Sequence, residues 1–358
     1  MSKTKLAETA VQKAISYLQV PSVGGDTNRL REILWEEMGA WEAKSEGRFS
    51  RHRTNKGLVY GTLRGKNDKK HRLVTAHIDT LGAMVQDIKE NGRLRLSQVG
   101  GYAWPAVEGE NVTIFTGSGK TFTGTFLPDK ASIHIFRDEA REMPRTEFTM
   151  EVRIDAPTTS RAETEALGIH VGDVVAYDTR TIYDAQSGYL KSRYLDDKAI
   201  VAVQMVVMQD LIERQVELPY TTHFFFSDYE EVGHGIYGIP AECFEFLAMD
   251  IGTVGGTHTS SEHKVTILAK DSRTPYNVDF RRYLERLAER EGIPYATDVH
   301  YQYGSDATAV IFQGLDAAFA CIGLGVDATH HYERAHIEGF AANIALLTAY
   351  LQEPALND

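Results

Sequence analysis

The segment Phe224-Phe225-Phe226-Ser227-Asp228-Tyr229-Glu230-Glu231 constrains the fold more than any other. Three consecutive aromatic residues read as a buried strand. Two adjacent acids close behind such a strand are costly unless something positive sits there. A metal ion meets that requirement: one acid can bind it while the other stays free as a base.

The rest of the chain supplies a sheet for this strand. Amphipathic helices are expected over 6–18 and 28–41, separated by Pro21-Ser22-Val23-Gly24-Gly25. Strand-like runs follow at 57–63 and 72–76, the second leading into His77-Ile78-Asp79. From about Gly82 helical periodicity stops. Short alternating segments replace it at 94–96, 112–115, 121–126, 148–154 and 174–177, with a capped helical turn or two over 160–167. After about Gly188 the mixed pattern returns. Asp196-Asp197 opens an apolar helix reaching Ile212, the aromatic strand follows, and a short strand over 246–249 ends in Asp250. Helices at 277–291 and 307–313, a strand at 317–322, a loop carrying His330 and His331 and a helix at 338–351 complete the chain. This order predicts an α/β domain in two pieces, 1–83 and 187–358, with a small β domain inserted over 84–186.

Composition narrows the function. A chain of 358 residues can hold more than one domain. Its net charge of −12 argues against nucleic acid and anionic membranes as partners. No apolar run reaches membrane-spanning length, and residues 1–20 lack the uninterrupted apolar core of a signal peptide. The two cysteines, Cys243 and Cys321, sit in apolar runs and fit a reducing compartment. The expectation is a cytoplasmic protein.

The chemistry gathers where apolar runs end. His77 and Asp79, Glu230 and Glu231, Asp250, and His330 all follow such runs, and Asp196 stands at a helix start, where a carboxylate is favourable. Sites in α/β sheets form at the carboxyl ends of parallel strands, so these segments can converge. Taken singly, each has a bland reading: a packed histidine, a helix cap, a solvated loop acid. Their recurrence at strand ends carries the site. Two imidazoles and several carboxylates without cysteine suit Zn²⁺, Co²⁺ or Mn²⁺. The set exceeds the needs of one ion and suits two that share a carboxylate and a water. Gly117-Ser118-Gly119-Lys120-Thr121 has Ile114 where a phosphate loop needs its first glycine, and reads as a hairpin turn. Gly323-Leu324-Gly325 lacks the third glycine of a dinucleotide fingerprint, and no Gly-x-Ser-x-Gly or His-Glu-x-x-His occurs.

Ala76-His77-Ile78-Asp79, Gly100-Gly101, Ser160-Arg161-Ala162-Glu163, Leu195-Asp196-Asp197-Lys198, Glu230-Glu231-Val232-Gly233, Met249-Asp250-Ile251-Gly252, Gly304-Ser305-Asp306-Ala307 and Thr329-His330 resemble, in order and spacing, the tetrahedral (TET) aminopeptidases, two-metal exopeptidases that include glutamyl and deblocking aminopeptidases. The resemblance implies a zinc-peptidase-like α/β/α sandwich with a mixed sheet and an inserted, barrel-like dimerisation domain. It implies two divalent ions, Zn²⁺ foremost, with Asp196 bridging them. His77 and Asp250 complete one shell, and Glu231 and His330 the other. Glu230 becomes the general base and Asp79 the group that orients His77. It also implies short peptide substrates and a homo-oligomer, from dimer to dodecamer. The chain departs from the pattern at Thr80, usually Glu, at Lys198, usually Arg, and after His330, where Ser-Pro is replaced by His331-Tyr332. Those departures leave His331 as a rival ligand and the preferred N-terminal residue open. Alternatives are a two-metal deacylase acting on an N-acylated compound, a metal-free glycoside hydrolase with paired carboxylates, and a non-catalytic binding scaffold.

Overall fold

The computed structural model describes residues 3–355. Phe224, Phe225 and Phe226 lie in the strand Tyr220–Ser227, and none exposes any surface. Side chains alternate along a strand, so three aromatic residues in a row fill both faces of the sheet. Phe224 and Phe226 join the main core with residues of the helices Lys3–Leu18, Leu195–Glu213 and Ile337–Gln352. Phe225 joins a second core with Leu73, Phe246 and Cys321, together with Ala307 and Val310 of the helix Asp306–Phe312. Each buried ring contributes ~1.5–3 kcal/mol. A sheet sandwiched between helices is what this triplet requires.

The sheet is mixed and eleven-stranded. Its parallel centre runs Tyr220–Ser227, Asn67–His77, Cys243–Val254, Ala318–Asp327 in spatial order. Val59–Leu63 and Phe49–Arg53 extend one side, antiparallel. On the other side Val265–Lys270 and Glu333–His336 pair antiparallel with Ala318–Asp327. Tyr220–Ser227 and Cys243–Val254, both parallel to Asn67–His77, lie on opposite sides of it. Loops leaving their carboxyl ends therefore diverge and open a crevice at His77.

Between the strand Asn67–His77 and the helix Leu195–Glu213 the chain forms a closed six-stranded antiparallel barrel, Gly82–Ile88, Leu94–Val99, Met150–Ile154, Thr121–Pro128, Asn111–Phe115 and Val174–Tyr177. Its alternating segments fill it with Val85, Leu96, Ile114, Phe126, Val152 and Val175. Ser118-Gly119 is the expected hairpin turn, with Phe115 opposite Thr121 and Gly119 at φ +82°. Ser160 caps the helix Arg161–Ala166 by accepting from Glu163 N at 3.4 Å.

Three features differ from the sequence reading. The strand Cys243–Val254 runs on past Asp250, because residues 251–254 continue the parallel ladder with Ala318–Asp327. Asp196 and Asp197 do not occupy a regular first helical turn. Both have non-helical backbone angles, so the regular helix begins after them. The strands Phe49–Arg53, Gly82–Ile88, Ile182–Asp184, Tyr189–Ser192, Val265–Lys270, Tyr295–Val299 and Glu333–His336 were not expected. The first of these, Phe-Ser-Arg-His-Arg, is an edge strand whose polar residues keep partial contact with solvent.

Arg72 is fully buried in the central strand. Its Nε donates to Glu245 at 2.8 Å, and its Nη1 donates to the carbonyls of Tyr350 and Glu353 at 2.7 and 2.8 Å, anchoring the end of the last helix. Both cysteines are buried and free. Among the described residues no helix is long and apolar enough to cross a membrane.

Candidate metal centre

The crevice holds the expected residues. His77 ends its strand, Glu230 and Glu231 form a short 3-10 turn after Ser227, Asp250 projects from the neighbouring strand, and His330 arrives on the loop after Ala318–Asp327. Tyr194, Tyr229 and His330 itself sit in the left-handed region, at φ 67°, 70° and 61°. Such backbone costs about 1–3 kcal/mol per residue and persists where surrounding contacts enforce it. Here it turns the chain so that Asp196, Glu230, Glu231 and His330 face one another.

The hydrogen bonds fix the imidazole tautomers. His77 Nδ1 lies 3.0 Å from the Asp79 carbonyl oxygen, and His330 Nδ1 lies 2.6 Å from that of Gly101. A carbonyl only accepts, so both Nδ1 atoms carry protons. Each neutral ring then presents an Nε2 lone pair to carboxylate oxygens. His77 Nε2 is 3.0 Å from Asp196 Oδ1; His330 Nε2 is 3.6 Å from Asp196 Oδ2 and 3.4 Å from Glu231 Oε2. Lone pairs facing one another require a cation between them, either a proton or a metal ion. Asp196 thus has one imidazole on each oxygen.

The electrostatics agree. Burial opposes charge on His330, but Asp196 and Glu231 overcome it and raise the imidazole to about 11. Burial also pushes Glu231 up to about 8 and Asp250 up to about 7, with Asp196 adding repulsion. Asp196 goes the other way: burial raises it, yet the facing His330 and His77 imidazoles leave it well below the carboxylate range. Glu231 Oε1 and Asp197 Oδ1 are buried without a partner. Donor atoms from His77, Asp196 and Glu231 lie within 4.8 Å of one another, as do those from His77, Glu230 and Asp250. Two imidazoles, several carboxylates and orphaned oxygens fit divalent cations of the zinc type.

The neighbouring groups hold this arrangement. Asp79 touches His77 mainly through its backbone carbonyl. Its carboxylate, 3.6 Å from His77 Nδ1, accepts from Glu230 N at 3.1 Å and Glu231 N at 3.2 Å and so positions both glutamates. Asp197 Oδ2 accepts from His77 N at 3.1 Å. Glu333 was not anticipated. It is 2% exposed; its Oε2 accepts from Asp196 N and its Oε1 from His330 N and Thr329 Oγ1, each at 3.2 Å. An acid three residues after His330 was the one available signal. Asp306 accepts from Thr75 and Ser227 hydroxyls behind the site. His331 turns away, exposed, its Nδ1 accepting from Tyr332 N at 2.8 Å, so His330 is the histidine that reaches the cluster. The crevice opens into a cleft of about 650 Å³, walled in part by Arg273, Gln302 and Tyr303.

The mixed sheet with its closed barrel is a fold shared with solved aminopeptidases of the TET class. The TET aminopeptidase of a marine-sediment Thaumarchaeota archaeon (SCGC AB-539-E09) superposes with a TM-score of 0.85 at 17% identity, over 97% of this chain and 98% of that one. The TET1 peptidase of Pyrococcus horikoshii, which can assemble into a tetrahedron or a large octahedral shell, superposes at 0.80 with 20% identity, over 96% and 100%. At such identities the likeness concerns the fold. Sequence settles the family: the chain belongs to the M42 glutamyl aminopeptidases, whose family model matches residues 57–346. YhfE of Bacillus subtilis (strain 168), a protein provisionally named an aminopeptidase, is 40% identical over 351 residues, 97% of this chain and 99% of its own.

Proposed function

We propose that this aminopeptidase removes N-terminal residues from short peptides with two divalent ions, Zn²⁺ foremost and Co²⁺ or Mn²⁺ as substitutes. Asp196 would bridge the ions, His77 and Asp250 would complete one shell, and Glu231 and His330 the other. The observation carrying this reading is the placement of an imidazole Nε2 against each oxygen of Asp196, with both Nδ1 protons committed to carbonyls. Held there, two such ions would supply Lewis acidity for the scissile carbonyl and the attacking water. Glu230 lines the cleft, 3.9 Å from His77 Nε2 through its Oε2, and takes the proton from the water and passes it to the leaving amine. The Asp79 carboxylate fixes the turn from which Glu230 projects.

The inserted segment, 84–186, would serve dimerisation, and six dimers would make a dodecamer. Ile135 and Phe148, 71% and 62% exposed on a barrel connection, support an apolar contact there, and the Pyrococcus horikoshii relative forms shells. Light scattering on the purified protein tests the assembly. Two buried free thiols support a cytoplasmic location.

The decisive assay is hydrolysis of free and N-acetylated amino-acid p-nitroanilides by stripped protein reloaded with Zn²⁺, Co²⁺ or Mn²⁺. Metal-dependent release from free-amine substrates alone supports the aminopeptidase reading and reports the preferred side chain. Release from blocked substrates favours a deacylase.

A further inference from the structure

His300 is buried to 1% exposure just beyond the strand Tyr295–Val299, and neither of its ring nitrogens has a hydrogen-bond partner. An unsatisfied buried polar group costs about 1–3 kcal/mol, so a doubly orphaned imidazole asks for a ligand. Two donors stand beside it. Asp298 Oδ2 is 3.6 Å from His300 Nε2, and Asp298 Oδ1 is 3.4 Å from His258 Nδ1. The His258 and His300 rings meet edge-on at 4.7 Å. One donor atom from each of the three residues lies within 4.8 Å of the others. The carboxylate is held from outside, its Oδ2 accepting from Thr259 N, Ser260 N and Ser260 Oγ at 2.7–2.9 Å. Such outer contacts orient metal-ligating groups.

We propose that His258, Asp298 and His300 form a second, separate site for a borderline divalent ion, zinc by preference, outside the catalytic cleft. Two imidazoles, a carboxylate and one open position suit tetrahedral zinc. Burial lowers the His300 imidazole to about 4, which leaves the ring neutral at pH 7. His258, 16% exposed, gives the ion access from solvent. The ion would clamp the turn after Cys243–Val254 onto the end of Tyr295–Val299. The clamp lies one ring from the cleft. His300 stacks edge-on against Tyr303 at 4.9 Å, and Tyr303 lines the cleft and donates to the Ile251 carbonyl beside Asp250.

The test is zinc content by plasma mass spectrometry on full-length protein, stripped and then dialysed against Zn²⁺. His258→Ala and, separately, His300→Gln are expected to hold about one ion per chain fewer than the unsubstituted protein. Equal zinc in His258→Ala and unsubstituted protein overturns the proposal. The His258 change sits on a partly exposed residue, so it decides even where His300→Gln fails to fold. Cobalt gives an independent readout in an Asp196→Asn background that disables the cleft. Visible Co²⁺ absorption is expected there and is lost on adding His258→Ala; no absorption before that change also refutes the site.

Discussion

Glu333→Gln probes the least obvious part of the centre. The carboxylate accepts three hydrogen bonds, Asp196 N on one oxygen and His330 N with Thr329 Oγ1 on the other. An amide keeps only one acceptor atom. The cheaper orientation retains the two contacts at Oε1 and turns NH₂ towards Asp196 N, setting donor against donor. The loss is then one hydrogen bond and one orphaned buried N–H, together roughly 2–4 kcal/mol. Much of that strain falls on the backbone that aims Asp196, the group with an imidazole on each oxygen. Outer-sphere losses of this kind lower metal affinity about 10–100-fold. A misplacement near 1 Å lowers turnover by about 10²-fold. Zinc affinity is read by competition with a chromophoric chelator, and kcat/KM on a free-amine p-nitroanilide. An unchanged zinc affinity together with unchanged kcat/KM refutes the positioning argument for Glu333.

Glu230→Gln should retain the metal complement and lose about 10²–10⁴-fold in kcat, as expected for removal of proton transfer alone; near-normal turnover contradicts its role as base. Asp196→Asn should lose both ions together by elemental analysis, and loss of a single ion contradicts bridging. Arg72→Met leaves the buried Glu245 without its counter-charge, with only the Tyr350 hydroxyl still donating to it, and should destabilise the fold by about 3–5 kcal/mol in urea titration. The metal-free protein should also melt at lower temperature as pH rises. Glu231 titrates near 8 in the fold and near 4.5 when unfolded, so between those values the folded state holds the extra proton and stability falls with rising pH. His330, raised to about 11, extends the fall upward from about 6.5. Zinc loading should flatten that slope in a melting series from pH 5 to pH 9, since the ion replaces those protons; an unchanged slope counts against the centre.

The fold was legible wherever burial writes a period into the sequence. The three phenylalanines announced a buried strand, and the loss of helical spacing after Gly82 announced a small β domain, whose barrel form only the family resemblance implied. The acids and imidazoles at strand ends gave most of the cluster. What stayed hidden depends on direction rather than residue type. Glu333 lies in Glu-Arg-Ala-His, a strand that reads as exposed and charged, yet its partners are backbone N–H groups of Asp196 and His330. Asp79 read as a partner of His77, while its carboxylate serves the glutamate turn. His258 and His300 lie 42 positions apart with no ligand spacing to mark them, and they meet because Tyr295–Val299 pairs with Val265–Lys270.

The bond from His330 Nδ1 to the Gly101 carbonyl joins positions 229 residues apart and connects the sheet layer to a loop of the barrel. The barrel's seat and the aim of the His330 imidazole are therefore linked variables in the thermodynamic sense. Whatever steadies the barrel tightens the centre, and by reciprocity an occupied centre steadies the barrel by the same free energy. An event at the outer surface of the inserted segment, such as contact with another copy, can in this way be felt as a change of affinity in the crevice.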